Sequence, residues 1–158
     1  MSNLLREIYE ADQTDRQNWT ENKFKESILE KDRQRRAVVK EMVETGQLQE
    51  GIDYFYASMV FQHGEVPEDY LMASELARKA VDLGEEKGLW MIATSEDRYL
   101  TYTQAPYQKY GTQYRKDKDG ESWYLYPIDP ETTDEERAKY NVPPLEELKK
   151  REKEMNKI

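Results

Sequence analysis

The chain has a single histidine, His63, set between Gln62 and Gly64. Imidazole is the side chain whose ordinary pKa suits proton transfer near neutral pH, so His63 is the first candidate for chemistry. The second signal is charge on faces that helical spacing makes apolar. Leu5, Ile8, Asp12, Asp15 and Trp19 follow one another by three, four, three and four residues, which puts all five on one side of a helix. Leu29, Asp32, Arg36, Val39 and Val43 repeat the pattern, as do Trp90, Ala93, Asp97 and Leu100, and Tyr56, Met59 and Val60 share a face with His63.

A carboxylate on a buried face costs several kcal/mol unless it is paired and hydrogen-bonded. Four such helices therefore imply either separate local ion pairs or one shared polar network. The expectation is that Asp12, Arg16, Asp32, Arg36, His63, Asp97 and Arg98 meet at one place. In a purely structural network these groups hold helix register. In a functional one His63 is general base or acid, and Asp97 or Asp12 holds its tautomer, with Asp97 the preferred partner. Arg16, Arg36 or Arg98 then binds an anionic group.

Tyr110-Gly111-Thr112-Gln113 is the other polar block. Gly111 permits a left-handed turn and close backbone approach to a ligand, and Thr112 and Gln113 offer a hydroxyl and an amide. The same residues also suit a plain turn that ties down backbone. The candidate site is thus His63 and Asp97 as catalytic groups, with Asp12, Gln13, Arg16, Arg36, Gln62, Arg98, Tyr110, Thr112 and Gln113 binding substrate.

Other chemistries lack their residues. There is no cysteine, which removes disulfides, thiolate nucleophiles and cysteine-bound zinc. One histidine and no acid pair at ligand spacing predict no metal. No P-loop, dinucleotide fingerprint or serine elbow occurs, so no cofactor is expected. Asp117-Lys118-Asp119-Gly120-Glu121 lacks the twelve-residue calcium-loop pattern and reads as a hairpin turn.

Positioning these groups falls to helices. Spacing predicts them over 3–19, 22–45, 53–63, from Pro67 to before Gly84, and over 88–103, with a short one near 133–139. The pair at 53–83 has the alanine-rich look of a tetratricopeptide-like hairpin, without a second copy. Tyr124-Leu125-Tyr126 after Asp119-Gly120 suggests a β-hairpin within 107–128. The expected fold is all-α: an orthogonal bundle of five or six helices with a small hairpin towards the C-terminal side. Residues 1–144 form one domain, and 145–158 a charged helix or tail that frays.

In this order, Asp12-Gln13 with Asp15-Arg16, Phe61-Gln62-His63-Gly64, Glu96-Asp97-Arg98-Tyr99-Leu100, and Gln108 with Tyr110-Gly111-Thr112-Gln113 resemble a bacterial domain-of-unknown-function family over about residues 5–130. The resemblance implies that Gln13, Arg16, His63, Asp97, Arg98 and Gln113 are signature polar positions, and it implies no reaction. Gly64-Glu65 departs from the acidic or alanine-rich continuation expected after the histidine.

With 158 residues, 37% hydrophobic and 36% charged, a net charge of −9 and 12 tyrosines, the chain suits one acidic domain. That charge repels a phosphate backbone, so no nucleic-acid partner is expected. No apolar run predicts a membrane span, and Met1 to Glu7 lacks a signal-peptide pattern; the expected compartment is the cytoplasm. Two functions follow. One is a cofactor-independent enzyme acting on a small polar or anionic molecule or a peptide. The other is a non-catalytic, immunity-like or adaptor protein whose acidic, tyrosine-rich surface engages a basic protein. Aromatic clusters such as Tyr54-Phe55-Tyr56 suit a core or a homodimer interface equally.

Overall fold

The computed structural model describes residues 3–18 and 25–157. Trp19, expected on a buried stripe, lies outside the described residues.

The described chain is an all-α bundle with one two-stranded hairpin. Its elements are α1 (Asn3–Gln17), α2 (Lys25–Glu44), α3 (Gly51–Gln62), α4 (Pro67–Asp82), α5 (Gly88–Tyr102), β1 (Tyr114–Lys116), β2 (Trp123–Leu125), α6 (Asp134–Lys139) and α7 (Leu145–Met155). No described helix is long and apolar enough to cross a membrane.

Local chemistry explains several boundaries. Pro67 opens α4, where its missing N–H leaves no partner unsatisfied. Asp69 closes that end by accepting the amides of Glu65 and Val66. Gly46 and Gly84 have positive φ just beyond α2 and α4, the usual helix-stopping conformation. β1 and β2 pair antiparallel, Tyr114 opposite Leu125 and Lys116 opposite Trp123, around a turn in which Gly120 takes a φ of 72°.

Three apolar clusters hold the elements. Leu5, Val39, Met42, Val60, Phe61 and Leu76 join α1 to α4. Phe55, Ala77, Ala80, Met91 and Ile92 join α3, α4 and α5. Ala93, Tyr110, Val142 and Leu148 lock the C-terminal segments onto α5. Alanines and glycines let α3, α4 and α5 approach closely: a Cβ on Gly88 would stand 2.6 Å from the carbonyl oxygen of Ala77.

α7, in the segment expected to fray, is docked on the hairpin. Leu148 is buried, and the Tyr114 hydroxyl donates to its carbonyl at 3.1 Å. Asn156 brackets Trp123, accepting from its N–H and donating to its C=O, each at 2.8 Å. Glu152 accepts the Leu125 N–H. One apolar anchor and several side-chain bonds to the hairpin edge replace the apolar stripe that composition shows to be missing, and seven helices lie among the described residues.

Gly111 sits beneath this helix with a φ of 106°, and a Cβ there would lie 2.5 Å from Leu148 Cδ1 and 2.7 Å from Ile128 Cδ1. Gly111→Ala is expected to lower the unfolding free energy by about 2–3 kcal/mol, and Leu148→Ala by about 2–4 kcal/mol. Urea denaturation measures both; a neutral Leu148→Ala would mean that α7 is not docked.

Candidate functional site

α1 and α2 face each other through ions at this end of the bundle. α1 presents Asp12, Asp15 and Arg16, and α2 presents Lys31, Asp32 and Arg35. Arg16 Nη2 meets Asp32 Oδ2 at 2.8 Å, Arg35 Nη1 meets Asp32 Oδ1 at 3.1 Å, and Lys31 Nζ meets Asp15 Oδ1 at 3.0 Å. Arg35 also pairs closely with Asp15. Asp12 and Asp32 are buried, and each buried carboxylate has cationic partners, as its desolvation requires.

His63 ends α3 and points into this ladder. Its Nδ1 lies 3.1 Å from Asp12 Oδ1. Arg16 Nε lies 2.9 Å from Nε2 and 3.0 Å from Nδ1. Arginine only donates, so the nitrogen that meets it must carry a lone pair. The assignment that satisfies all three groups puts the proton on Nδ1, donated to Asp12, and the lone pair on Nε2. On this assignment the imidazole is neutral. Burial, then the charges of Arg16 and Arg98, press its pKa below the ordinary 6.5, against the raising effect of Asp12. Burial pushes Asp12 up, but the His63 bond and charge, Arg16 and the Gln13 amide (Nε2 to Oδ2, 2.9 Å) together hold it below the ordinary 3.8. The ring retains 18% side-chain exposure, and His63, Arg16, Asp32, Gly64, Ile28 and Leu29 line a shallow cavity of about 380 Å³.

The C-terminal carbonyls of α3 gather the remaining elements. Arg36 donates to the His63 carbonyl and pairs with Glu65 at 2.6 Å. Arg98 Nη1 donates to the Gln62 carbonyl at 2.8 Å. The Tyr70 hydroxyl donates to the Gly64 carbonyl at 2.9 Å. Cations suit this end because the helix dipole is negative there.

The expected convergence thus holds for Asp12, Arg16, Asp32, Arg36, His63 and Arg98. It fails for Asp97. That carboxylate is fully buried and accepts from the amides of Lys109, Tyr110, Gly111 and Thr112 at 2.7–3.0 Å and from the Thr112 hydroxyl at 2.8 Å. It makes no bond to His63, and the expected His63–Asp97 dyad is not formed. Asp97 and Arg98 are adjacent on α5, and about 100° of helical rotation separates their directions: Asp97 turns to the 109–112 turn, Arg98 to α3. Burial pushes the Asp97 carboxyl up while the Thr112, Tyr110 and Lys109 bonds oppose it. Four of its five partners are backbone N–H groups, which cannot accept a carboxyl proton, so the turn is built around the ionised form.

The Tyr110–Gln113 block is likewise committed inward. Tyr110 is buried against Tyr140, ring centroids 4.9 Å apart, and its carbonyl accepts from Arg137. Thr112 spends its hydroxyl on Asp97. Gln113 donates to Thr94 and Thr112, and its Oε1 accepts from Arg98 at 3.3 Å. Gln62 bonds Thr94 and Ser95. Thr112, Gln113 and Gln62 accordingly have their side-chain polar atoms engaged within the protein.

Spacing overlooked Arg35 and Glu65 as partners in the cluster, and Gln108 as a scaffold: Gln108 is buried and bridges Gln113 and Tyr126 through its amide. Arg35 was legible as part of the basic run 33–36; Gln108 carries no periodic signal, because it lies in a loop.

No protein-family model, curated protein or solved structure matches this chain.

Asp97→Asn is expected to destabilise the fold by about 3–5 kcal/mol, because an amide N–H₂ would face backbone donors. Hydrogen exchange should show lost protection at residues 109–112. A protein that keeps its stability and protection would refute this role. For His63, an NMR titration should give a midpoint below 6.5 that falls further in Asp12→Asn and rises in Arg16→Gln. The depressed pKa means that the unfolded state binds the proton first, so stability is full above 6.5 and falls as pH drops from there towards the native midpoint. Asp12 adds a second loss as pH falls below 3.8. A native midpoint at or above 6.5 would contradict the neutral, desolvated imidazole.

Proposed function

We propose that the protein is a cofactor-independent enzyme that transfers a proton on a small polar substrate, with His63 as general base or acid and Asp12 as the carboxylate that orients it. The observation that carries this reading is the His63 arrangement: Nδ1 on a fully buried carboxylate, and Nε2 facing Arg16 beside a cavity. A carboxylate behind imidazole fixes the tautomer and stabilises the imidazolium that forms on proton uptake. Arg16 guards the lone pair in the free protein. A substrate carrying negative charge competes for its guanidinium, and as Arg16 turns to the substrate, Nε2 is released to take a proton. Asp32 and Asp12 limit that movement by holding Nη2 at 2.8 and 3.5 Å.

A second reading has its own support. Both ring nitrogens already have partners, as in a structural ion network, and Tyr102, Tyr107 and Tyr124 are exposed. On that reading the protein is a non-catalytic adaptor whose acidic, tyrosine-bearing surface binds a basic partner.

Carbethoxylation by diethylpyrocarbonate separates the two, since one histidine makes the ultraviolet readout unambiguous. On the enzyme reading His63 is modified in the native protein, severalfold faster in Arg16→Gln and more slowly in Asp12→Asn. An imidazole that stays unmodified in all three folded proteins would favour the adaptor.

A further inference from the structure

Arginines in the ladder have their acids: Arg16 has Asp32, Arg35 has Asp15 and Asp32, and Arg36 has Glu65 and Asp69. Two neighbouring arginines do not. Among the described residues no carboxylate lies within ion-pair distance of Arg98 or Arg115. Arg98 gives one donor to the Gln62 carbonyl and one to Gln113 Oε1, and a guanidinium has five. Arg115, on β1, gives Nη2 to the Thr101 hydroxyl at 2.8 Å. That hydroxyl in turn donates to the Arg98 carbonyl one turn back on α5. Both side chains are partly buried.

This placement is expensive. A guanidinium stays charged in a protein, and taking it out of water without a counter-ion is unfavourable. Arg115 and Arg16 make matters worse by repelling Arg98, whose pKa burial and those two charges press downward. Tyr70 is the acidic side chain nearest in effect, but burial pushes its phenol above the usual range, so it is neutral at physiological pH. The chain has 33 acidic residues and a net charge of −9, so acids are abundant; the ladder beside this spot uses several. Here two guanidiniums without a carboxylate meet the same helix one turn apart, Arg98 rooted on α5 within electrostatic reach of His63 and Arg115 arriving from the hairpin at Thr101.

We propose that Arg98 and Arg115, with Arg16 at the edge, bind a dianionic tetrahedral oxyanion, a phosphoryl group, beside His63. Two forks carried on different elements match a tetrahedral group with several acceptor oxygens better than a single planar carboxylate. The surplus of two positive charges matches its charge. The site gives the anionic substrate of the proposed enzyme a chemical class, and it rests on that reading only for its role, not for binding itself.

Inorganic phosphate is the probe. Calorimetric titration of the full chain at pH 7.5 and low ionic strength is expected to show saturable, one-to-one binding. Arg98→Gln and Arg115→Gln should each weaken it about tenfold or more. Arg151→Gln is the control: Arg151 also has no carboxylate at ion-pair distance among the described residues but sits over the Tyr114 ring, 5.7 Å from its centroid, and binding should not change. Arg115→Gln touches one threonine hydroxyl and should fold normally, so the test stands even if Arg98→Gln does not fold. Sulfate should compete and chloride should not. A second readout is the His63 NMR titration, whose midpoint should rise when phosphate is bound, because a nearby dianion favours the imidazolium. Absence of saturable binding, binding that survives Arg115→Gln, or displacement by equal chloride would overturn the proposal. A His63 midpoint unmoved by bound phosphate would overturn its placement. Failure of phosphate to bind while His63 keeps its predicted reactivity with diethylpyrocarbonate would remove the anion site and leave the His63–Asp12 reading intact.

Discussion

The carbonyl oxygens of Gln62, His63 and Gly64 lie where α3 ends and no further helical amide can reach them. Each is claimed by a different element: α5 supplies Arg98, α2 supplies Arg36, and α4 supplies the Tyr70 hydroxyl. α1 completes the ring by gripping the His63 side chain through Asp12 and Arg16. The end of one twelve-residue helix is thus the point at which four others are brought to a common register. The negative end of the α3 dipole favours the arginines, and once they are present, Glu65, Asp69 and Asp32 are needed to balance most of them.

That arrangement explains why so polar a chain holds a fixed fold. The apolar clusters under α3, α4 and α5 are continuous, but the contact between the inner faces of α1 and α2 is largely ionic at the His63 end. Exposed pairs such as Arg6 with Glu10 contribute little. The interior ones differ because removing one partner leaves a buried charge uncompensated. Chemistry and architecture share the same groups here: Asp12 orients the imidazole and also anchors α1, so a change at this position is felt both in proton affinity and in the packing of the helix.

A second buried carboxylate works independently. Asp97 gathers four consecutive backbone amides from residues 109–112, a concave array of donors, and so fixes the turn that carries Gly111 under α7. The pair Asp97–Arg98 divides labour by direction. One side chain organises the C-terminal third of the molecule, and its neighbour reaches across to α3 and to Gln113.

Helix positions, the hairpin at Asp119-Gly120 and the burial of Asp12, Asp32, Arg36 and Asp97 were legible from spacing, because an amphipathic helix repeats its faces every 3.6 residues and a charge on the wrong face announces itself. Periodicity places a side chain on a face but says nothing of what covers that face. That is why Asp97 was paired with His63: both are buried charges on converging stripes, and the covering element proved to be a loop of backbone amides with no periodic signal. The docking of α7 was hidden for the same reason, since it depends on Leu148, Asn156 and Glu152 meeting hairpin backbone rather than on an apolar stripe. Spacing by itself determined that Asp12, Asp32, Arg36 and Asp97 are buried charges, though not that Asp53 and Arg137 are; only the tertiary structure decided which of them are partners, because partnership depends on distances between segments far apart in the chain.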